Sequence, residues 1–477
     1  MTRSTARGAN CSEKRRARTR VLLACAASFV GSGVAAQPGG TPRAAGAAAL
    51  PSSSLTSDAS ECNRLRAGAL AQVTCALARG LSDAPQGALV VSAPIASDGR
   101  IEKPGALAAR IAQLLAGALG RGAGHASEPS TLASARTLAA GAAALVFVRA
   151  EIVRGEFRVT ADAYDVRERF WQRVRHPSPA PRAHAFASSR IDAELRAFFP
   201  PVPLVARQID KARAAEDFFA LACEDADQDG ALELIWAGRR HVGFGRIRQG
   251  QLSPLLERPW AELAPVAPHP LREPLAGIAV QPGRFIDIGL SDRANAIRFD
   301  PLLTPVAKLG RHIPWPAGGC AALRDIGLGG TIEACVKNEE LPARVSFSEP
   351  LDALAAARIV ERDGRVRDYY AGRSSSTSEL IVRDETQRSV RIPASGAQVA
   401  LADLDLDGQP EIVTGADTLD PQADYVLART WQSNGQLVER WRVPLESGVN
   451  ALAVCPVEGD RARTVVVATR AALWMIR

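Results

Sequence analysis

Several common catalytic signatures are missing from this 477-residue chain. There is no HExxH, and no histidine pair stands at metal-ligand spacing on a helix, which sets aside the usual helical zinc centres. No G-x-S-x-G elbow, phosphate-binding loop or glycine-rich dinucleotide fingerprint occurs, so nothing points to an elbow hydrolase, a P-loop enzyme or a Rossmann oxidoreductase. Beyond the N-terminus no apolar run approaches the 18 residues of a membrane helix, and the processed chain is expected to be soluble or peripheral, with no transmembrane segment. The histidines past that point, His125, His176, His184, His241, His269 and His312, read as surface or core residues; His269 and His312 lie beside or near prolines.

Basic charge also becomes scarce once the N-terminus is set apart. Residues 1–36 hold Arg3, Arg7, Lys14, Arg15, Arg16, Arg18 and Arg20 against Glu13, followed by an apolar run that ends Val34-Ala35-Ala36. This is the pattern of a secretory signal cut before Gln37. A lipobox, Leu22-Leu23-Ala24-Cys25, leaves lipoprotein anchoring at Cys25 open, although little apolar sequence precedes it. Removing the segment takes the formal net charge from +7 to about +1. No basic stripe interleaved with aromatics remains, so nucleic acid is not an expected partner.

Eight cysteines become six after processing, an even number in an exported chain with no CxxC, which favours disulfides. Cys320 and Cys335 are close enough in sequence to bridge, and Cys62 with Cys75 if a turn separates them. Cys223 and Cys455 each follow a strand-like run, and they could be joined if the first and last repeats of the chain meet. The alternative is that each is a small buried hydrophobe.

Periodicity divides the rest. Residues 37–60, mostly Ala, Gly, Pro and Ser, read as a disordered linker. Residues 61–200 mix strand and helix patterns: a strand over 88–95, a helix over 104–119 opened by Pro104, a helix over 130–139, a hairpin of 144–148 with 157–164, and a last helix around 188–199. That is an α/β domain, closed by the prolines at 200–203. From 204 to 477 the pattern becomes short strands separated by Gly, Pro, Asp and Asn at blade-like intervals. Residues 235–240, 412–416 and 466–470 each run from a strand into a small-residue turn, 430–441 forms an Asn-Gly hairpin, and 374–378 reads as an exposed loop. Trp236, Trp260, Trp315, Trp431, Trp441 and Trp474 either pack between such blades or line a sugar-binding face.

Two stretches within this region share one acidic pattern. Asp225-Ala226-Asp227-Gln228-Asp229-Gly230-Ala231-Leu232-Glu233 and Asp403-Leu404-Asp405-Leu406-Asp407-Gly408-Gln409-Pro410-Glu411 both read D-x-D-x-D-G-x-x-E. Carboxylates on alternate residues before a chain-reversing glycine can bring hard oxygens onto one cation, which suits Ca2+. An EF-hand is excluded, because its twelfth position is Trp236 in one copy and Thr414 in the other. Plain Asp/Gly turns are the other reading of such segments. Apolar runs flank both copies, which places each inside a β-hairpin.

These residues resemble FG-GAP or VCBS-type repeats, the calcium loops of integrin-like β-propellers. The resemblance implies Ca2+ held by Asp225, Asp227, Asp229 and Glu233, and by Asp403, Asp405, Asp407 and Glu411, with backbone carbonyls from Ala231 and Gln409. Glu233 and Glu411 stand where that family more often has Asp. An α/β module followed by a propeller also resembles the plan of the Tol-system periplasmic propeller protein. The expectation is therefore a multidomain chain, an α/β domain followed by a β-propeller of six or seven blades. It would be periplasmic or extracellular and bind an envelope or extracellular protein or polysaccharide. The alternative is a polysaccharide-active enzyme, a glycoside hydrolase or lyase, using isolated acids such as Asp287, Asp292, Asp352, Asp417 or Asp420.

Overall fold

A computed structural model describes residues 68–477, apart from 96–100, 121, 154–155, 167–179, 201, 215, 249–250, 268–272, 326, 337–338, 340–344, 446 and 457–461. The export segment 1–36 with Cys25, the linker 37–60, Cys62, His176 and His269 lie outside the described residues. Everything described belongs to one unit, Ser53–Arg477.

The first part is a mixed sheet with helices. Helix α1 (Ala69–Gly80) precedes β1 (Leu89–Ser92), α2 (Pro104–Leu119), β2 (Gly124–His125), α3 (Leu132–Leu138), β3 (Ala144–Val153), β4 (Glu156–Asp165) and β5 (Ala183–Arg190). The order is β2-β1-β3-β4-β5, with β1 parallel to both neighbours and the rest antiparallel. Pro104 opens α2, where its missing N–H costs nothing. Leu107, Ile111 and Leu115, one turn apart, bury against Val90, Val146 and Phe157. Of the helix expected around 188–199, residues 188–190 belong instead to the end of β5 and only α4 (Ala193–Arg196) turns helical, capped by Asp192. Pairing with β4 along the whole length of β5 supplies hydrogen bonds that outweigh a weak local pattern.

From 208 onward the described strands form four sheets of eight, four, seven and four strands, and these divide into six groups where the pairing narrows to the single partners Gln251–Arg213 and Leu328–Leu351. β6 (Gln208–Arg213) comes first in sequence but completes the last group. The first group is β7 (Phe218–Glu224), β8 (Glu233–Gly238), β9 (His241–Arg248) and β10 (Gln251–Pro259). The second is β11 (Ala276–Gln281), β12 (Phe285–Leu290), β13 (Ala296–Phe299) and β14 (Pro305–Gly310). The third holds β15 (His312–Pro314), β16 (Cys320–Leu323) and β17 (Leu328–Glu333), and the fourth β18 (Leu351–Val360), β19 (Val366–Ser374), β20 (Leu380–Asp384) and β21 (Ser389–Ile392). The fifth is β22 (Ser395–Ala402), β23 (Glu411–Ala416), β24 (Tyr425–Trp431) and β25 (Leu437–Pro444). In the sixth, β26 (Ala451–Val454), β27 (Val465–Ala468) and β28 (Ala472–Ile476) are followed by β6, antiparallel to β28. Ser374, expected in an exposed loop, ends β19 fully buried.

The arrangement is mostly β and propeller-like. The opening strands lie side by side: β7 touches β26 and β11, β11 touches β15, and β22 touches β18 and β26. Two features close the circuit. β6, from near the start of this region, pairs with the C-terminal strand, and Cys223 at the end of β7 is bonded to Cys455 just after β26, with Cα atoms 4.7 Å apart. The second disulfide, Cys320–Cys335, stays within the third group. Cys75 is disulfide-bonded as well.

Cores form between groups. Trp236, Trp260, Trp315 and Trp431 are at most 1% exposed, and the Trp315 indole N–H donates to Ala355 O across the third and fourth groups. These tryptophans pack rather than present a sugar face.

Candidate metal centres

Both acidic segments are the loops that join the opening strand of a group to its second strand, 225–232 between β7 and β8 and 403–410 between β22 and β23. They share one backbone shape. The fourth residue is left-handed in each, Gln228 at φ 63° and Leu406 at φ 61°, and the glycine follows suit, Gly230 at 88° and Gly408 at 83°. At Gly408 a Cβ would also come within 2.9 Å of Arg362 N.

Several backbone-to-carboxylate hydrogen bonds recur in both, although Asp407 N–H also donates to Asp403 Oδ1 at 2.9 Å whereas Asp225 Oδ1 is buried without a partner. Gly230 N–H donates to Asp225 Oδ2 at 3.1 Å, and Gly408 N–H to Asp403 Oδ2 at 3.0 Å. Ala231 N–H donates to Asp229 Oδ1 and Gln409 N–H to Asp407 Oδ1, each at 2.8 Å. Ala226 N–H reaches Glu233 Oε2 at 3.1 Å, and Leu404 N–H reaches Glu411 Oε2 at 2.6 Å. Two sequences almost two hundred residues apart thus fold into one loop type.

The carboxylates that converge differ. In the first loop Asp225, Asp227 and Asp229 each offer an oxygen within 4.8 Å of the others; in the second, Asp403, Asp405 and Glu411 do so. The first set is partly to fully exposed, the second buried, with Asp403 at 5%, Asp405 at 7% and Glu411 at 0% exposure. Burial and mutual repulsion therefore act hardest in the second loop. Desolvation, opposed by Arg463 and reinforced by Asp407 and Asp405, pushes Asp403 up to about 7. Desolvation and then Asp407 push Asp405 up to about 6, and Glu411 is raised well above its ordinary value by burial and both aspartates. In the first loop Asp229 is instead lowered, chiefly by its hydrogen bond from Arg246.

Neighbouring loops meet these two. Gly283 N–H donates to Ala226 O, Arg362 Nε to Asp407 O, and Arg463 N–H to Leu404 O. Arg463 precedes β27, in the sixth group's equivalent of the acidic loops, and its Nε is buried without a partner. The mixed-sheet part touches the turn after β18 through Gly68 N–H, which donates to Gly364 O.

A cleft of about 870 Å³ opens near the ends of β7, β11 and β18. Five of its charged residues, Asp287, Arg298, Glu339, Arg358 and Asp368, pair among themselves. Arg298 binds Asp287 through Nε at 2.7 Å and Nη2 at 2.8 Å, also meets Glu339, and lies 3.7 Å over the Phe285 ring. Arg358 holds Asp368 at 2.8 Å. The other isolated acids are similarly engaged: Asp292 with Arg293, Asp352 and Asp417 with Arg373, while Asp420 accepts Gln422 N–H.

Sequence reasoning placed the loop acids together but missed Arg246, Arg440 and Thr430, which contact them from later strands. No local motif marks these residues; only strand register brings them there.

No protein-family model matches the chain, and no curated protein sequence matches it. Solved structures with a detectable likeness include a DUF4221 family member from Bacteroides vulgatus, 8% identical, covering 58% of this chain and 98% of its own, at a TM-score of 0.34. TolB from Acinetobacter baumannii is 12% identical, covering 83% and 94%, at 0.28. Virginiamycin B lyase from Staphylococcus aureus is 6% identical, covering 57% and 99%, at 0.32. Likenesses this remote identify neither a family nor an activity.

Proposed function

We propose that this chain is an exported protein in which an α/β domain precedes a six-bladed, calcium-stabilised β-propeller, and that the propeller binds an envelope or extracellular protein or polysaccharide. The observation that carries the calcium reading is the second loop. Three buried carboxylates converge there on a left-handed loop. Such a cluster is repulsive without a counter-charge, and its donors are all oxygen, as Ca2+ prefers. Asp403, Asp405, Asp407 and Glu411, with the Gln409 carbonyl, would hold the ion, which supplies positive charge at the loop. The residues themselves fix the hairpin end between Arg362 and the Arg463 segment. Asp225, Asp227, Asp229, Glu233 and the Ala231 carbonyl are their counterparts by position in the first loop, where Arg246 already supplies a positive charge.

Binding is favoured over polysaccharide hydrolysis by the state of the remaining acids. Asp287, Asp352 and Asp368 are each tied to a guanidinium, so none is a free carboxyl aimed at a substrate, although burial raises Asp287 and Asp352 above their ordinary value. Immobilised processed protein, challenged with envelope polysaccharides and following both retention and chain length, distinguishes the two. The expected result is calcium-dependent retention of a polysaccharide or protein with no shortening of the polysaccharide. Depolymerisation would overturn the binding reading.

A further inference from the structure

We propose that Arg246 takes the place of the metal ion in the first acidic loop, so that only the second loop is a calcium site. This rests on the calcium reading above and sharpens it. The difference between the loops lies in one strand position. Leu234 pairs with Gly245 across β8 and β9, and the next step sets Glu233 beside Arg246. In the fifth group the equivalent partner of Glu411 is Thr430.

The consequences are electrostatic. Arg246 places Nε at 2.9 Å and Nη2 at 2.6 Å from Glu233 Oε1, and Nη2 at 2.7 Å from Asp229 Oδ2. One guanidinium therefore joins the fifth and ninth positions of the motif, two of the acids that a cation would gather. Its side chain is 19% exposed and that of Glu233 0%, so the pair is well shielded from water. A divalent ion held by Asp225, Asp227 and Asp229 would share Asp229 with a fixed positive charge and be repelled by it. Glu411 instead accepts the neutral Thr430 hydroxyl at 2.8 Å and has no guanidinium bonded to it, the buried Arg463 acting on it only at longer range. Arg440 reaches Asp405 at 3.3 Å and the exposed Arg362 reaches the Asp407 carboxylate at 3.5 Å, each a single long contact, and neither guanidinium bridges two acids of the loop. Among the described residues no arginine salt-bridges Asp403 or Glu411.

The same hairpin is thus closed by two chemistries, a tethered cation in one group and a free one in the other. Glu233 and Glu411 are alike in sequence, so the ninth position does not decide which. The residue opposite it does.

The test is calorimetric titration of Ca2+ into chelator-stripped full-length protein, with folding of each variant checked by circular dichroism. The wild type is expected to take up one ion per chain. Asp405→Asn should weaken that binding at least tenfold, whereas Asp227→Asn, in the more exposed first loop, should leave it unchanged. Arg246→Thr should raise the stoichiometry to two. Two ions in the wild type, or loss of binding in Asp227→Asn with retention in Asp405→Asn, would overturn the arginine assignment while leaving the calcium reading intact. A folded Arg246→Thr protein that still binds one ion would also overturn it. No binding by the wild type would sink both. The two aspartate variants decide the matter if Arg246→Thr does not fold.

Discussion

Asp403 and Asp405 show what burial does to single residues when like charges are brought together. Their folded values, about 7 and about 6, lie above the ordinary 3.8. The folded chain therefore binds protons more tightly than the unfolded one, and the protonated form stabilises it. In the metal-free protein this contribution is present below about pH 4 and is lost as pH rises toward about 7. Calcium must displace those protons, so its affinity should rise between pH 5 and pH 7.5. Titrations at both values check this. A pH-independent affinity would mean that the acids are already ionised in the free protein. The wild type, compared with an Asp403→Asn plus Asp405→Asn variant after chelation, should lose stability relative to that variant as pH rises over the same interval.

The acidic motif was legible at this scale because alternate Asp residues and a glycine are local facts. The ligands' competitors were not, since Arg246 stands 13 residues after Glu233 and meets it only through the register of β8 and β9.

At the scale of elements, the repeated phrases at 235–240, 412–416 and 466–470 mark the second strands β8, β23 and β27 of three groups. Each pairs with an opening strand, which is why the phrases resemble one another. β5 escaped notice because a strand defined by its partner β4 carries little signal of its own. The link between opening strands β7 and β26 lends itself to a direct measurement. Cys223–Cys455 spans 232 residues of chain, and closing so long a loop restricts the unfolded state strongly. Replacing both cysteines by alanine should lower stability by about 2–5 kcal/mol, read as a lower denaturation midpoint under non-reducing conditions. An unchanged midpoint would show that β6 pairing with β28 suffices to close the circuit.

Across the whole molecule, the turn spacing foretold a repeated β architecture, and the structure shows it as four sheets that divide into six strand groups, the sixth completed by β6. That last exchange could not be read from periodicity, because β6 belongs by sequence to one end of the region and by pairing to the other. Calcium in this account stabilises the circuit at one hairpin, beside the group where first and last strands join. Ligand binding to the folded state alone adds about 2.7 kcal/mol at a hundredfold excess over the dissociation constant, a rise of several degrees in melting temperature for a large domain. The most direct test is thermal unfolding of the processed protein with Ca2+, with Mg2+ and after chelation, alongside Asp405→Ala. The account predicts a rise specific to Ca2+ that Asp405→Ala loses. No rise, or a rise of the same size in the variant, would contradict it and reduce the second loop to an ordinary turn.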